Sequence, residues 1–141
     1  MRVAITGAAT GIGAEVVLKL KNQGHEVTVF DFIEITQSVD EFVHLDLSNN
    51  TSIEEALKNT NGPFDALINN AGIPPRENTE QKILMVNYIG MKTFLDGMIG
   101  KLNRGAAIVN TSSRAGSMWQ ENLKQVKRFM QLGVSELSNF V

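Results

Sequence analysis

Short apolar runs rich in β-branched residues alternate along this chain with segments of helical periodicity, and that alternation limits the fold more than any other feature. The runs are Val3-Ala4-Ile5, Val27-Thr28-Val29-Phe30, Phe42-Val43-His44-Leu45, Ala66-Leu67-Ile68 and Ala107-Ile108-Val109, each bounded by Gly, Asp, Asn or Ser. Their brevity and near-continuous hydrophobicity predict strands buried on both faces, as in a parallel sheet. A first helix is predicted from about Ile12 to Asn22, with Val16, Val17 and Leu20 on one face and Gly24 just past its end. A second is predicted to begin near Ser52, where Ser-Ile-Glu-Glu resembles a capping box. The third is predicted to be long, from about Glu77 to Leu102, with Ile83, Val86, Asn87, Gly90, Phe94 and Met98 as one broad stripe. Strands alternating with helices imply βαβ units with right-handed crossovers, hence an α/β fold with an open parallel sheet.

Composition narrows the function. The chain has 141 residues, 13 Lys+Arg against 15 Asp+Glu for a net charge of −2, and no Cys. That length suits one domain. Without cysteine there is no disulfide framework, thiolate metal site or nucleophilic thiol. His25 and His44 lack the company a metal needs and read as polar strand edges, so no metal is expected. Net charge near zero gives no general electrostatic reason to bind nucleic acid or an anionic membrane. The apolar run after Met1 is too short for a signal peptide and no later run approaches a membrane span, so a cytoplasmic location is expected. Asn50-Thr51-Ser52 and Asn110-Thr111-Ser112 are read as chance matches to the glycosylation pattern. After Ser113 the pattern changes. Met118 to Leu132 reads as an amphipathic helix with Leu123, Val126, Phe129 and Met130 inward, Val134 to Val141 as the start of another turn or two, and no sixth strand follows.

The chemistry-bearing residues sit where predicted strands end. The first strand runs into Thr6-Gly7-Ala8-Ala9-Thr10-Gly11-Ile12-Gly13, which opens the first helix. A pyrophosphate needs backbone N–H groups at a helix N-terminus, with glycines that let the chain turn and the phosphates approach. The spacing here is G-x-x-x-G-x-G. The second strand ends in Asp31, 18 positions after Gly13, where a carboxylate can accept both ribose hydroxyl protons of an adenosine and would repel a 2′-phosphate. With Thr10 rather than a basic residue inside the glycine turn, NAD is favoured over NADP. The third strand ends in Asp46-Leu47-Ser48 and the fourth in Asn69-Asn70-Ala71-Gly72, on the same edge of the sheet.

At this point the sequence resembles the short-chain dehydrogenase/reductase family, through several spaced motifs. Thr6 to Gly13 looks like its glycine motif, Asn69-Asn70-Ala71-Gly72 its fourth-strand motif, Val86-Asn87-Tyr88 its helix asparagine, and Ile108-Val109-Asn110-Thr111-Ser112-Ser113 its fifth-strand serine. The likeness covers residues 1–116 as family core, and 117–141 would be a helical insertion or lid, more like the subset related to bacterial 3α-hydroxysteroid dehydrogenase/carbonyl reductase. It implies a single NAD(P)-binding Rossmann-type domain, a doubly wound parallel sheet of strand order 3-2-1-4-5 truncated after the fifth strand and a helical insertion. It also implies roles. Gly7, Thr10, Gly11, Ile12 and Gly13 would hold the pyrophosphate side, Asp31 with Phe32 the adenine ribose, and Asp46 with Leu47 the adenine. Asn70, Ala71 and Gly72 would line the way to the nicotinamide ribose, Ser113 would hydrogen-bond the substrate oxygen, and Asn87 would hold a water in a proton relay.

The activity this implies is hydride transfer between NAD(H) and a secondary alcohol or ketone, in a homo-oligomer like many family members. The family's acid is a Tyr followed four residues later by a Lys. Tyr88-Ile89-Gly90-Met91-Lys92 matches that by letter, but it precedes the fifth strand, whereas the family's pair follows the serine. The pair is therefore expected beyond Val141, leaving the 141-residue chain without its acid; six strands at roughly 30 residues per βα unit would need on the order of 180 residues. The alternative is a non-catalytic dinucleotide-binding module. A serine-hydrolase reading of Ser113 fails, since no G-x-S-x-G elbow surrounds it and no His follows it.

Overall fold

The computed structural model describes residues 1–36, 38–131 and 136. Five strands, β1 (Arg2–Thr6), β2 (Glu26–Asp31), β3 (Glu41–His44), β4 (Phe64–Asn69) and β5 (Leu102–Asn110), form one sheet in the order β3-β2-β1-β4-β5, every pair parallel. This is the doubly wound Rossmann-type order expected from the motifs. Its register sets Val3 beside Val27 and Ala66, and Thr6 beside Phe30 and Asn69, so the polar ends of three strands share one edge.

Because side chains alternate across a strand, the sheet feeds two cores. On one face Ala4, Phe30 and Leu67 pack with Ile53, Ala56, Phe94 and Met98, which come from α2 (Asn50–Asn59) and α4 (Met91–Met98). The rings of Phe30 and Phe94 meet edge to face at 5.0 Å between centroids, and neither is exposed. On the other face Ile5, Val27 and Val29 pack with Ala8 and with Val17 of α1 (Gly11–Asn22). At the amino end of the sheet the Arg2 guanidinium lies 4.5 Å from the centre of the Phe64 ring and bonds Glu26, Glu41 and the Asn61 carbonyl.

The structure corrects several boundaries. The second helix begins two residues before Ser52, because Asn49 is the cap: its Oδ1 accepts from the Ser52 N–H at 3.3 Å, while Ser52 Oγ turns back to accept from the Asp46 N–H. The expected continuous third helix starts at Glu80 and changes winding three times, through α3 (Glu80–Leu84), a π-helical turn (Met85–Gly90), α4 and a 3-10 turn (Ile99–Lys101). Leu102 already belongs to β5, which is longer than the expected Ala107-Ile108-Val109 core.

β5 is also unlike the other strands in burial. Ile108 is 44 % and Val109 50 % exposed, so the expectation of strands covered on both faces fails there. Beyond it, a 3-10 segment (Arg114–Gln120) leads to α5 (Leu123–Met130) in place of one helix from Met118. Leu123 and Met130 face solvent rather than a core, and Val126 and Phe129 are half-buried. The expected turns of Val134 to Val141 lie outside the described residues apart from Glu136. Among the described residues no helix is long and apolar enough to cross a membrane, and no group of three metal-ligating side chains comes together.

Candidate functional site

The carboxyl ends of β1, β2 and β4, the exit of β3 and the start of the long helix enclose a cavity of about 450 Å³, a size typical of small-molecule sites. Most of the expected cofactor residues line it: Gly7, Thr10, Ile12, Asp31, Phe32, Asp46, Leu47, Asn70, Ala71 and Gly72. Gly11, Gly13, Asn87 and Ser113 are not in its wall. The sequence reading missed Ala9, Phe30, Ile33, Leu45, Ile73, Lys82, Val86 and Thr111, which complete the lining.

The glycine turn is fixed by contact as much as by conformation. Gly7 sits at φ +69°, and a Cβ there would lie 2.5 Å from Ala71 Cα and 2.8 Å from Ala71 N. At Gly13 a Cβ would collide with the Gly7 carbonyl oxygen and come within 2.7 Å of Asn70 Nδ2. These positions bring the turn and the Asn69-to-Gly72 segment into direct backbone contact. Thr10, the N-cap of α1, makes no side-chain capping bond, and the first turn holds no acidic residue. The leading N–H groups of α1 thus keep no side-chain acceptor, which suits an anion.

Asp31 ends β2 buried, at 6 % exposure, with both carboxylate oxygens engaged by the backbone. Oδ2 accepts from the Ala9 N–H at 2.9 Å and Oδ1 from the Ile33 N–H at 3.0 Å, so one side chain joins the glycine turn to the loop after β2. Each oxygen retains a lone pair for a further donor. Asp46 is oriented in a similar way: its Oδ1 accepts from Ser48 N–H at 2.8 Å and from Ser48 Oγ at 2.7 Å. Burial works against its ionisation, yet these bonds and the charges of Lys82 and His44 hold its carboxyl below the usual carboxylate range.

Thr6 and Asn70 tie the two strand ends together. The buried Thr6 Oγ1 accepts from Asn70 N–H at 3.1 Å and Ala71 N–H at 3.0 Å, and Asn70 Nδ2 donates to the Gly7 carbonyl at 2.7 Å. Thr6→Val keeps the shape and removes the acceptor, leaving two N–H groups unmet. We expect a loss of about 1–3 kcal/mol in urea unfolding, and a midpoint equal to that of the parent chain would contradict it.

The end of β5 is fastened to the same segment. Asn69 Nδ2 donates to Asn110 Oδ1 at 2.8 Å, Thr111 N–H to the Asn69 carbonyl at 2.9 Å, and Thr111 Oγ1 to Asn70 Oδ1 at 3.3 Å. Ser113 follows two residues later, exposed, immediately before the 3-10 segment. Asn87 lies in the π-helical turn, a distortion common near functional sites. Its Oδ1 accepts from Ile73 N–H at 2.8 Å and its Nδ2 donates to the Ile73 carbonyl at 2.9 Å, clamping the chain just past Gly72. Tyr88 and Lys92 are elsewhere: the Tyr88 ring packs against Phe129 at 4.8 Å, and Lys92 pairs with Asp96 at 2.6 Å.

Comparison with known proteins agrees with this geometry. The family model described as short chain dehydrogenase matches residues 1–125. Coniferyl-alcohol dehydrogenase from a Pseudomonas species is 32 % identical over 123 residues, covering 87 % of this chain and 48 % of that protein. Diacetyl reductase from Staphylococcus aureus is 29 % identical over 136 residues, covering 79 % of this chain and 53 % of the relative. The crystal structure of a 3α-hydroxysteroid dehydrogenase from Pseudomonas sp., complexed with NADH, superposes with a TM-score of 0.79 at 26 % identity, over 99 % of this chain and 60 % of that one. The chain thus spans about half the length of the curated relatives it matches. With a glycine turn, an acidic second-strand end and an Asn-Asn-Ala-Gly segment converging on one cavity, and a family match over residues 1–125, the chain belongs to the short-chain dehydrogenase family.

Proposed function

We propose that this chain binds NAD(H) in the cleft at the carboxyl ends of its strands, as part of an oxidoreductase interconverting a secondary alcohol and a ketone. The observation that carries the reading is Asp31, a buried carboxylate in the cleft wall whose two oxygens are oriented by Ala9 and Ile33. Such a group accepts from vicinal ribose hydroxyls and repels a 2′-phosphate, which favours NAD over NADP. Thr10, without a basic side chain, adds no phosphate partner in the glycine turn. The NADH complex of the steroid dehydrogenase neighbour supports the same cofactor.

The remaining roles are those that the family resemblance implies for the matching residues. Gly7, Thr10, Gly11, Ile12 and Gly13 bring backbone close to the pyrophosphate, Phe32 extends the ribose wall, and Asp46 with Leu47 borders the adenine. Asn70, Ala71 and Gly72 lead toward the nicotinamide ribose. A bound nicotinamide supplies or receives the hydride. Ser113 donates a hydrogen bond to the substrate oxygen as negative charge develops on it. Asn87 fixes Ile73 and, through its remaining lone pair or its main chain, can hold a water. Relatives named as dehydrogenases and a reductase support an alcohol and carbonyl couple as substrate.

The second reading, a non-catalytic dinucleotide-binding module, draws on Tyr88 and Lys92, which pack against Phe129 and Asp96 outside the cleft wall. Calorimetric titration with NADH and NADPH tests the dinucleotide site that both readings share, and a ketone-reduction assay tests the second, which any turnover would end. NADH should bind more tightly than NADPH, with no ketone turnover by this chain alone. Asp31→Ala should weaken NADH at least about tenfold and narrow its margin over NADPH, since it removes a charged acceptor. Failure of the parent chain to bind NADH would end the first reading, and turnover dependent on Tyr88 would end the assignment of the acid elsewhere.

A further inference from the structure

The cleft holds three charged side chains, Asp31, Asp46 and Lys82, and they are not alike. Both carboxylates are engaged by neighbouring N–H or hydroxyl groups. Lys82 stands exposed on α3, and the ion pairs found among the described residues, Arg2 with Glu26 and Glu41, Lys21 with Asp40 and Lys92 with Asp96, do not include it. Its charge nevertheless reaches Asp46. Two carboxylates in the wall make the cleft less attractive to a diphosphate held at the start of α1, and a cation in the same wall counters that. Lys82 is the cation in that lining, and its long stem lets the ammonium follow a ligand while three N–H donors remain for adenosine or phosphate acceptors.

Resting on the dinucleotide reading of this cleft, we propose that Lys82 is a specificity-determining residue: its ammonium, in the same wall as Asp46, counters that carboxylate's charge and makes the adenosine end attractive to an anionic dinucleotide. The neighbouring carboxylates already order the ribose and adenine sides, so the contribution of Lys82 is charge rather than shape. It acts on ligands that carry adenosine and phosphate together.

The test is calorimetric titration of the parent chain and of Lys82→Met, Lys82→Gln and Lys82→Arg with NADH, ADP-ribose and nicotinamide mononucleotide, at low and at high salt. At low salt the Met and Gln variants should bind NADH and ADP-ribose about fivefold more weakly than the parent. The Arg variant should stay within about twofold, because it keeps the charge. Nicotinamide mononucleotide should be unaffected. Raising the salt toward 1 M, where screening acts over about 3 Å, should close the gap between parent and Met variant. Urea midpoints of all variants should match, since the residue is exposed, and the Gln variant carries the comparison if Met perturbs the fold. Equal NADH affinity in the parent and both neutral variants overturns the proposal, as does a loss that salt leaves unchanged. A parent chain that binds none of the three ligands overturns the dinucleotide reading itself, and the role of Lys82 with it.

Discussion

Gly7→Val should abolish NADH binding and cost about 3 kcal/mol of stability, the sum of a left-handed β-branched residue and an overpacked contact. The native φ of +69° is one an L-residue resists, and the new Cβ would meet the Ala71 backbone at 2.5 Å. Relief requires the glycine turn to part from Asn70 and Ala71. That parting would stretch the bonds from Asn70 and Ala71 to Thr6 Oγ1 and from Asn70 Nδ2 to the Gly7 carbonyl. Urea unfolding and NADH titration measure the two effects separately, and a variant with parental affinity would show that the close approach is dispensable.

Phe94→Ala should be the costliest core substitution, at about 3–5 kcal/mol. The ring is fully buried between α4 and the sheet, edge-on to Phe30, and it shares its cluster with Ile53, Ala56 and Met98. Removing it opens a void between α2, α4 and the sheet, with Phe30 of β2 on its wall. Because β2 ends in Asp31, ligand affinity should fall along with the thermal midpoint. An unfolding free energy within about 0.5 kcal/mol of the parent would place the core elsewhere.

Much of this was legible in the sequence because local signals and the sheet agreed. The glycines at 7, 11 and 13 follow one strand and open one helix, so their place is fixed by neighbours in the chain. Asp31 and Asn69 to Gly72 end their strands, and a parallel sheet gathers such ends on one edge. Lys82, Val86, Leu45 and Ile73 were not legible as cleft residues, since only the packing of the long helix against the exits of β3 and β4 brings them there. The π-helical turn was hidden for another reason: Val86, Gly90 and Phe94 keep a spacing of four that an α-helix would also show, and one extra residue per turn leaves no mark in it. α5 shows a limit of periodicity itself. Leu123, Val126, Phe129 and Met130 form an apolar face, but a pattern does not say what covers it.

The exposed strand at the sheet's edge has a practical consequence. Ile108 and Val109, with Ile99, Met118 and Trp119 also open to water, give any contacting surface a means of stabilising the chain by mass action. Where copies of the chain cover these side chains, the unfolding midpoint should rise with protein concentration, so variants are best compared at matched dilution.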